Sequence, residues 1–433
     1  MAGTGGDLIR VFLIHPQTPV HRYNLDTMLE DNNTALRARL HFFFLNIGHF
    51  VDHLLPLVFA SVAALALTRE WGLSYAQLIP YAIPGVVAFG VGALPAGWLA
   101  DRWSREKMMV IFFLGIGVSA IATAMATTPV TIALGLFAIG VFGSIYHPVG
   151  LAMVIQGRQR TGVPLAINGI FGNLGVACAA LFTSLLIEAQ GWKAAFVWPG
   201  ALTLLLGFAY IVFLLTGRRG KAGGEAQKRQ DTVKGQSGFT RSHLVRIFLV
   251  VFASTALGGL VFQSTTFALP KIVDERMADM AVSVTQVGWY AFGVFALASL
   301  GQLIVGFMVD RWPLKYVFLA VAACQCIFFV TMISLTGPWA LVIAMAFMLA
   351  VFGQIPINDV LIGRVTKTHW RSRALAVRYI ITFSVSASAI PMIAWTHANW
   401  GFGIFFMILA GAAAAIFGIV LLLPKTKTLD QSA

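Results

Sequence analysis

The chain is 433 residues long, 58% hydrophobic and 11% charged, with a mean hydropathy of +0.82. A soluble domain carries about 25% charged residues, so a chain that faces water throughout is excluded. The formal net charge is +13, but the basic residues sit in short loops between apolar runs, and nucleic acid is not an expected partner.

In chain order, residues 1–39 read as a polar tail. Its apolar run over 8–14 is too short to span a membrane and lacks the flank of a signal-peptide cleavage site. Apolar runs of 18 or more residues then recur, each long enough to cross a hydrocarbon core of about 30 Å. They are continuous rather than alternating, so they read as helices that satisfy their own backbone in lipid. Six spans are predicted over 40–67, 75–100, 108–126, 130–156, 163–187 and 194–216. Residues 217–242, rich in Gly and scattered charge, have the composition of a flexible linker. Six more spans follow over 243–269, 286–309, 314–335, 338–362, 374–395 and 400–423.

The expected fold is therefore an all-α polytopic membrane protein with twelve transmembrane helices. A six-helix bundle over 40–216 and a second over 243–424 are joined by the linker, with a short tail over 425–433. Of the 30 Lys and Arg, 24 fall in the tails and the loops of one side, and the opposite side holds only Arg69, Lys193, Lys271 and Arg276. The positive-inside rule then places both termini and the linker in the cytosol, with the chain in the cell inner (plasma) membrane. Cys178, Cys324 and Cys326 all lie in apolar runs without metal or disulfide spacing and read as small buried hydrophobes.

One loop occurs twice. Gly97-Trp98-Leu99-Ala100-Asp101-Arg102-Trp103 matches Gly306-Phe307-Met308-Val309-Asp310-Arg311-Trp312 at an offset of 209. Val141-Phe142-Gly143 recurs as Val351-Phe352-Gly353 at an offset of 210. The first loop resembles the Gly-x-Leu-Ala-Asp-Arg-x-Gly-Arg-Lys-Lys run between the second and third helices of the major facilitator superfamily. Ser104, Glu106 and Pro313 depart from that pattern. The resemblance implies two pseudo-symmetric six-helix bundles, a substrate site near the midplane between them, and a gating role for Asp101, Arg102, Asp310 and Arg311.

An ionisable side chain at the centre of a membrane span costs about 3 kcal/mol or more, so each is a functional candidate. Asn46, His49, Asp52 and His53 fall on one arc of the first helix, and Pro56 leaves the Asp52 carbonyl without its helical donor. In the fourth span, Pro148 does the same for Ser144, next to His147. A polar face with a loosened backbone suits a water-lined cavity, and histidine exchanges protons near neutral pH. A buried structural pair is the competing reading. The run His49-Phe50-Val51-Asp52 and the run Gly143 to Pro148 resemble the fosmidomycin-resistance-protein branch of the superfamily, which implies a secondary transporter, often a proton-linked exporter. Asn168, Gln263, Gln354 and Asn358 are expected to line the cavity as hydrogen-bonding groups, with Ser264, Thr265, Thr266 and Gln302 beside them. Asp359 and Arg378 lie at equal depth on consecutive helices and are expected either to pair or to receive an anionic solute. The stripe Gly169, Gly172 and Gly175 permits close helix packing.

No phosphate-binding loop, zinc spacing or nucleophile motif is visible. The expected activity is proton-coupled transport of a small organic solute, export favoured over import, by a monomer without a cofactor and without an enzymatic step. A transition-metal carrier using His49, Asp52, His53 and His147 is the alternative, and a non-transporting membrane sensor is a third.

Overall fold

In the computed structural model, the described residues are 25–158, 162–217, 241–280, 283–365 and 368–423, excepting the side chains of 25–33, 162, 241–244, 359, 362–380 and 383. Eleven apolar stretches among them are long enough to span a membrane, and no strand occurs among them. The first ten are α1 (Thr34–Glu70), α2 (Tyr75–Arg102), α3 (Arg105–Thr123), α4 (Pro129–Ile155), α5 (Val163–Gln190), α6 (Ala194–Gly217), α7 (Val245–Arg276), α8 (Val284–Arg311), α9 (Leu314–Met332) and α10 (Gly337–Asn358).

The eleventh stretch contains two helices. Helix is continuous over Thr368–Leu421 except at Gly401, whose φ of 69° and ψ of −164° are not helical and suit a residue without a Cβ. Residues 368–400 are α11 and residues 402–421 are α12, which restores the expected twelve. The break falls within one residue of the predicted boundary at Trp400.

The chain divides into two compact units, Met1–Phe43 and Phe44–Ala433. Within the first, helix is present from Leu25, inside the segment read as a polar tail. Residues 25–39 hold no Gly or Pro and several strong helix formers, among them Leu29, Glu30, Ala35 and Arg37. Most of the predicted linker lies outside the described residues.

Helix ends follow local chemistry. Ser104, where the loop pattern has Gly, caps α3 by accepting from the Lys107 N–H. Thr128 with Thr131, and Ser283 with Gln286, form capping boxes that start α4 and α8. The internal repeat is visible as a matched defect. α4 is interrupted between Gly143 and Tyr146, and α10 between Gly353 and Ile355. Pro148 and Pro356 each remove the donor four residues on from a carbonyl at the break.

Within the first half, α3 packs on α6 and α4, and α2 on α4; in the second, α9 packs on α10 and the α11–α12 segment, and α8 on α10. The halves meet where α5 lies along α8 and α2 along the α11–α12 segment. Phe112, Phe113, Tyr146, Phe196 and Tyr210 fill the first core, while Ile247, Val317, Phe318, Ile357 and Ile416 anchor the second. Val91, Leu134, Leu205, Phe208 and Val212 are exposed. Helices apolar both inside and outside are the arrangement that lipid requires.

Candidate functional site

The polar face of α1 points into the molecule. Asn46, His49 and Asp52 are buried and His53 is half-buried. The smallness of α5 lets them sit there. A Cβ on Gly172 would lie 2.7 Å from the His49 ring, and one on Gly175 would collide with the Phe50 carbonyl oxygen. Gly169 meets nothing within 4 Å, so the packing role expected of the glycine stripe belongs to the other two.

His49 donates through Nδ1 to the Asn168 carbonyl oxygen at 2.8 Å. That oxygen can only accept, so the proton is on Nδ1, and a neutral His49 keeps its lone pair on Nε2. His53 then donates from its own Nε2 to His49 Nε2 at 3.1 Å. The His49 ring stacks on Tyr146 at 4.9 Å. Tyr146 donates its hydroxyl to the Leu45 carbonyl at 2.6 Å, and the Asn168 amide donates to Asn46 Oδ1 at 2.9 Å and to the Tyr146 hydroxyl at 2.9 Å. Asn168 is thus a clamp between α5, α1 and α4, an organising role its sequence position did not reveal.

His147 lies on the other side of Asp52, with Nε2 3.2 Å from Oδ2. The contact is close enough for an ion pair but lies off the line of a hydrogen bond. Both Asp52 oxygens and His147 Nδ1 are buried without a hydrogen-bond partner among the described residues. Leaving such groups unmatched costs about 1–3 kcal/mol each, so a proton or another cation bound here would satisfy them. The three imidazoles each offer a nitrogen within 4.8 Å of the others.

Asp52, His53 and His147 form part of the wall of a cavity of ≈180 Å³. Phe89 and Leu136 extend the wall in the first half, and Phe262, Gln263, Thr266 and Ser386 close it from the second. Asn168, Gln354 and Asn358 do not line it, nor do Ser264, Thr265 and Gln302. Gln354 accepts from Gln325 at 2.8 Å and Asn358 accepts from Ser254 at 3.2 Å, both inside the second half. Gln302 donates to Asn173 at 3.3 Å, tying α8 to α5. The side chains of Asp359 and Arg378 lie outside the described residues.

At the repeated loops, Asp101 pairs with Arg105 at 2.7 Å, and Arg105 reaches Gln156 at 3.4 Å. Arg102 lies 5.7 Å over the Trp98 ring, Arg311 stacks 3.3 Å over Phe307, and Asp310 is exposed. None of the three cysteines is fully buried as expected: Cys178 and Cys326 are half-buried and Cys324 is exposed; on an outward helix face, lipid accepts a thiol as readily as a core does.

The opposite end of the molecule carries contacts of its own. There, Glu188 of α5 accepts the Thr285 N–H at the start of α8 at 3.0 Å. A Cβ on Gly288 would overlap the Ser184 hydroxyl, so α5 and α8 touch closely below that cap. His397 of α11 pairs with Glu275 at 2.8 Å and packs on the Tyr75 ring at 5.3 Å. Glu188 and Glu275 are acids at span ends on the side poor in basic residues, the one signal that could have marked them.

A sequence profile described as the Major Facilitator Superfamily matches residues 45–277 and 251–432. The 4-hydroxybenzoate transporter PcaK of Pseudomonas putida is 26% identical over 301 residues, 61% of this chain and 64% of the relative, so under two thirds of the relative's length is matched. A Na(+), Li(+), K(+)/H(+) antiporter of Planococcus maritimus is 25% identical over 430 residues, covering 91% of this chain and 96% of the relative. Among solved structures, a D-xylose-proton symporter superposes with a TM-score of 0.68 at 14% identity, over 89% of this chain and 98% of that one.

Proposed function

Because the chain belongs to the Major Facilitator Superfamily, we propose that it is a proton-coupled secondary transporter of a small organic acid, working by rocking of its two halves about the central cavity. The observation that carries the reading is the cavity itself, walled by Asp52, His53 and His147 on one side and by Gln263 and Thr266 on the other. Sites for drug-sized ligands measure about 300–1,000 Å³, so ≈180 Å³ favours a small solute. Phe89 and Phe262 offer ring faces, and the imidazoles, the glutamine and the threonine offer donors to a carboxylate. A relative named for 4-hydroxybenzoate agrees with a carboxylate solute, and one named as a Na(+), Li(+), K(+)/H(+) antiporter agrees with proton coupling alone.

In this reading the Asp52–His147 pair takes up and releases the coupling proton, and His49, anchored on the Asn168 carbonyl, holds the His53 ring beside that pair. Asp101, Arg102, Asp310 and Arg311 act at one face as gates, while Glu188 and His397 hold the other closed. Both termini are cytosolic, the six-helix units are 40–216 and 243–424, the host membrane is the plasma membrane, and the working form is a monomer. Export follows only from the first-half motifs that resemble the fosmidomycin-resistance branch; the relative named for 4-hydroxybenzoate is not of that branch by name.

The test is solute-dependent proton flux in liposomes carrying the purified chain, screened across monocyclic aromatic acids, with the direction read from the side that must be loaded. Asp52→Asn is expected to abolish flux driven by a pH gradient while solute exchange without a gradient persists. Gradient-driven flux at the wild-type rate in that variant refutes the role of Asp52.

A further inference from the structure

The histidine cluster has a second chemistry open to it. His49 and His53 present Nε2 atoms 3.1 Å apart, close to the edge of about 3.3 Å expected between two nitrogens bound to zinc at 2.0–2.1 Å in a tetrahedron. The Asn168 carbonyl holds the His49 proton on Nδ1, which leaves Nε2 as a donor aimed at the cluster. That is the outer-shell contact which orients metal-binding imidazoles. His147 supplies a third nitrogen within 4.8 Å, and its Nδ1 is buried without a partner. Asp52 adds a carboxylate whose two oxygens have no hydrogen-bond donor.

We propose that His49, His53 and His147, with Asp52 beside them, bind one divalent transition-metal ion of the zinc class. Imidazole nitrogen suits such ions, and three of them leave one coordination position for a water or a solute carboxylate. That position faces the cavity, since His53 and His147 are on its wall. An ion seated between the two Nε2 atoms takes the place of the His53 proton, which His53 carries on Nδ1 instead, so the imidazole stays neutral. The carboxylate of Asp52 offsets half of the ionic charge. Every donor comes from α1 and α4, within one half of the molecule, so the site does not depend on the rocking motion and does not require the transport reading to hold.

The test uses the full chain, purified without an affinity tag. Titration with Co²⁺ is expected to produce visible ligand-field bands that saturate at one equivalent and are displaced by Zn²⁺. His49→Gln and His147→Gln should each weaken binding at least 10-fold, and Asp52→Asn about 10–100-fold. For a measurement that needs no variant, X-ray absorption of the Zn²⁺-loaded wild type should show a shell of nitrogen and oxygen at about 2.0–2.1 Å with imidazole scattering. Absence of saturable Co²⁺ binding, full binding in a His53→Gln/His147→Gln double variant, or a shell without imidazole overturns the proposal. None of these outcomes touches the flux assay. Absence of solute-driven proton flux in the metal-free chain would instead sink the transport reading alone.

Discussion

Gly172→Ala is the sharpest perturbation available, because it adds one carbon against the ring that organises the site. The new Cβ would stand 2.7 Å from His49 Cε1, 2.8 Å from Nε2 and 3.0 Å from Cδ2, where ordinary contact begins at 3.4 Å. The ring must therefore retreat by about 0.7 Å. It is not a free side-chain end: the Nδ1 bond to Asn168 at 2.8 Å, the His53 contact at 3.1 Å and the Tyr146 stack hold it from three sides. A shift of that size spans the margin between a good hydrogen bond and none at about 3.6 Å. Overpacking of this kind costs about 1–3 kcal/mol. Three residues away, Gly169→Ala meets nothing within 4 Å and is expected to stabilise the helix by about 0.5–1 kcal/mol. Thermal unfolding of the two variants in one detergent, with flux measured in parallel, gives the comparison. Gly172→Ala should melt lower and transport poorly, and Gly169→Ala should melt no lower than the parent with transport intact. If the two variants behave alike, the placement of His49 against α5 is wrong.

Asp101 and Arg105 form an exposed pair, with side-chain exposures of 69% and 36%, and such pairs contribute about 0.2–1 kcal/mol. Asp101→Ala should leave thermal stability nearly unchanged while slowing flux; slow flux accompanied by a large loss of stability would remove the gate reading. Glu188→Ala strips the Thr285 N–H of its partner at the α5–α8 contact and should raise the labelling rate of a cysteine placed at Ser184; unchanged labelling would show that the cap does not hold that end closed. Gln325→Leu leaves the buried Gln354 oxygen without its donor and should destabilise by about 1–3 kcal/mol, part of which the double change with Gln354→Leu should recover in a thermal-unfolding cycle.

Several parts of this molecule were legible from local pattern. Each span had to satisfy its own backbone in lipid, so run length and apolar content marked the helices without reference to any neighbour. The break at Gly401 fell at the predicted boundary beside Trp400, and the paired defects at Gly143 and Gly353 repeated at the offset already visible in the sequence. The polar arc of Asn46, His49, Asp52 and His53 also came from helical spacing alone, and all four are in fact at least half-buried.

What these residues touch was decided by the tertiary structure. Helix α4 is apolar nearly all round, so hydrophobic patterning names no inward face for it, and nothing local shows Tyr146 reaching Leu45 or His147 reaching Asp52. The same uncertainty hid the choice of Gly172 over Gly169 as the seat of His49, the clamp formed by Asn168, the Gln325–Gln354 pair, and Glu188 on the α8 cap. In an aqueous protein the solvent-facing side reveals a helix's orientation. In a bilayer both sides are oily, and rotation about each helix axis is set only by packing against the others, which arises when the whole bundle assembles.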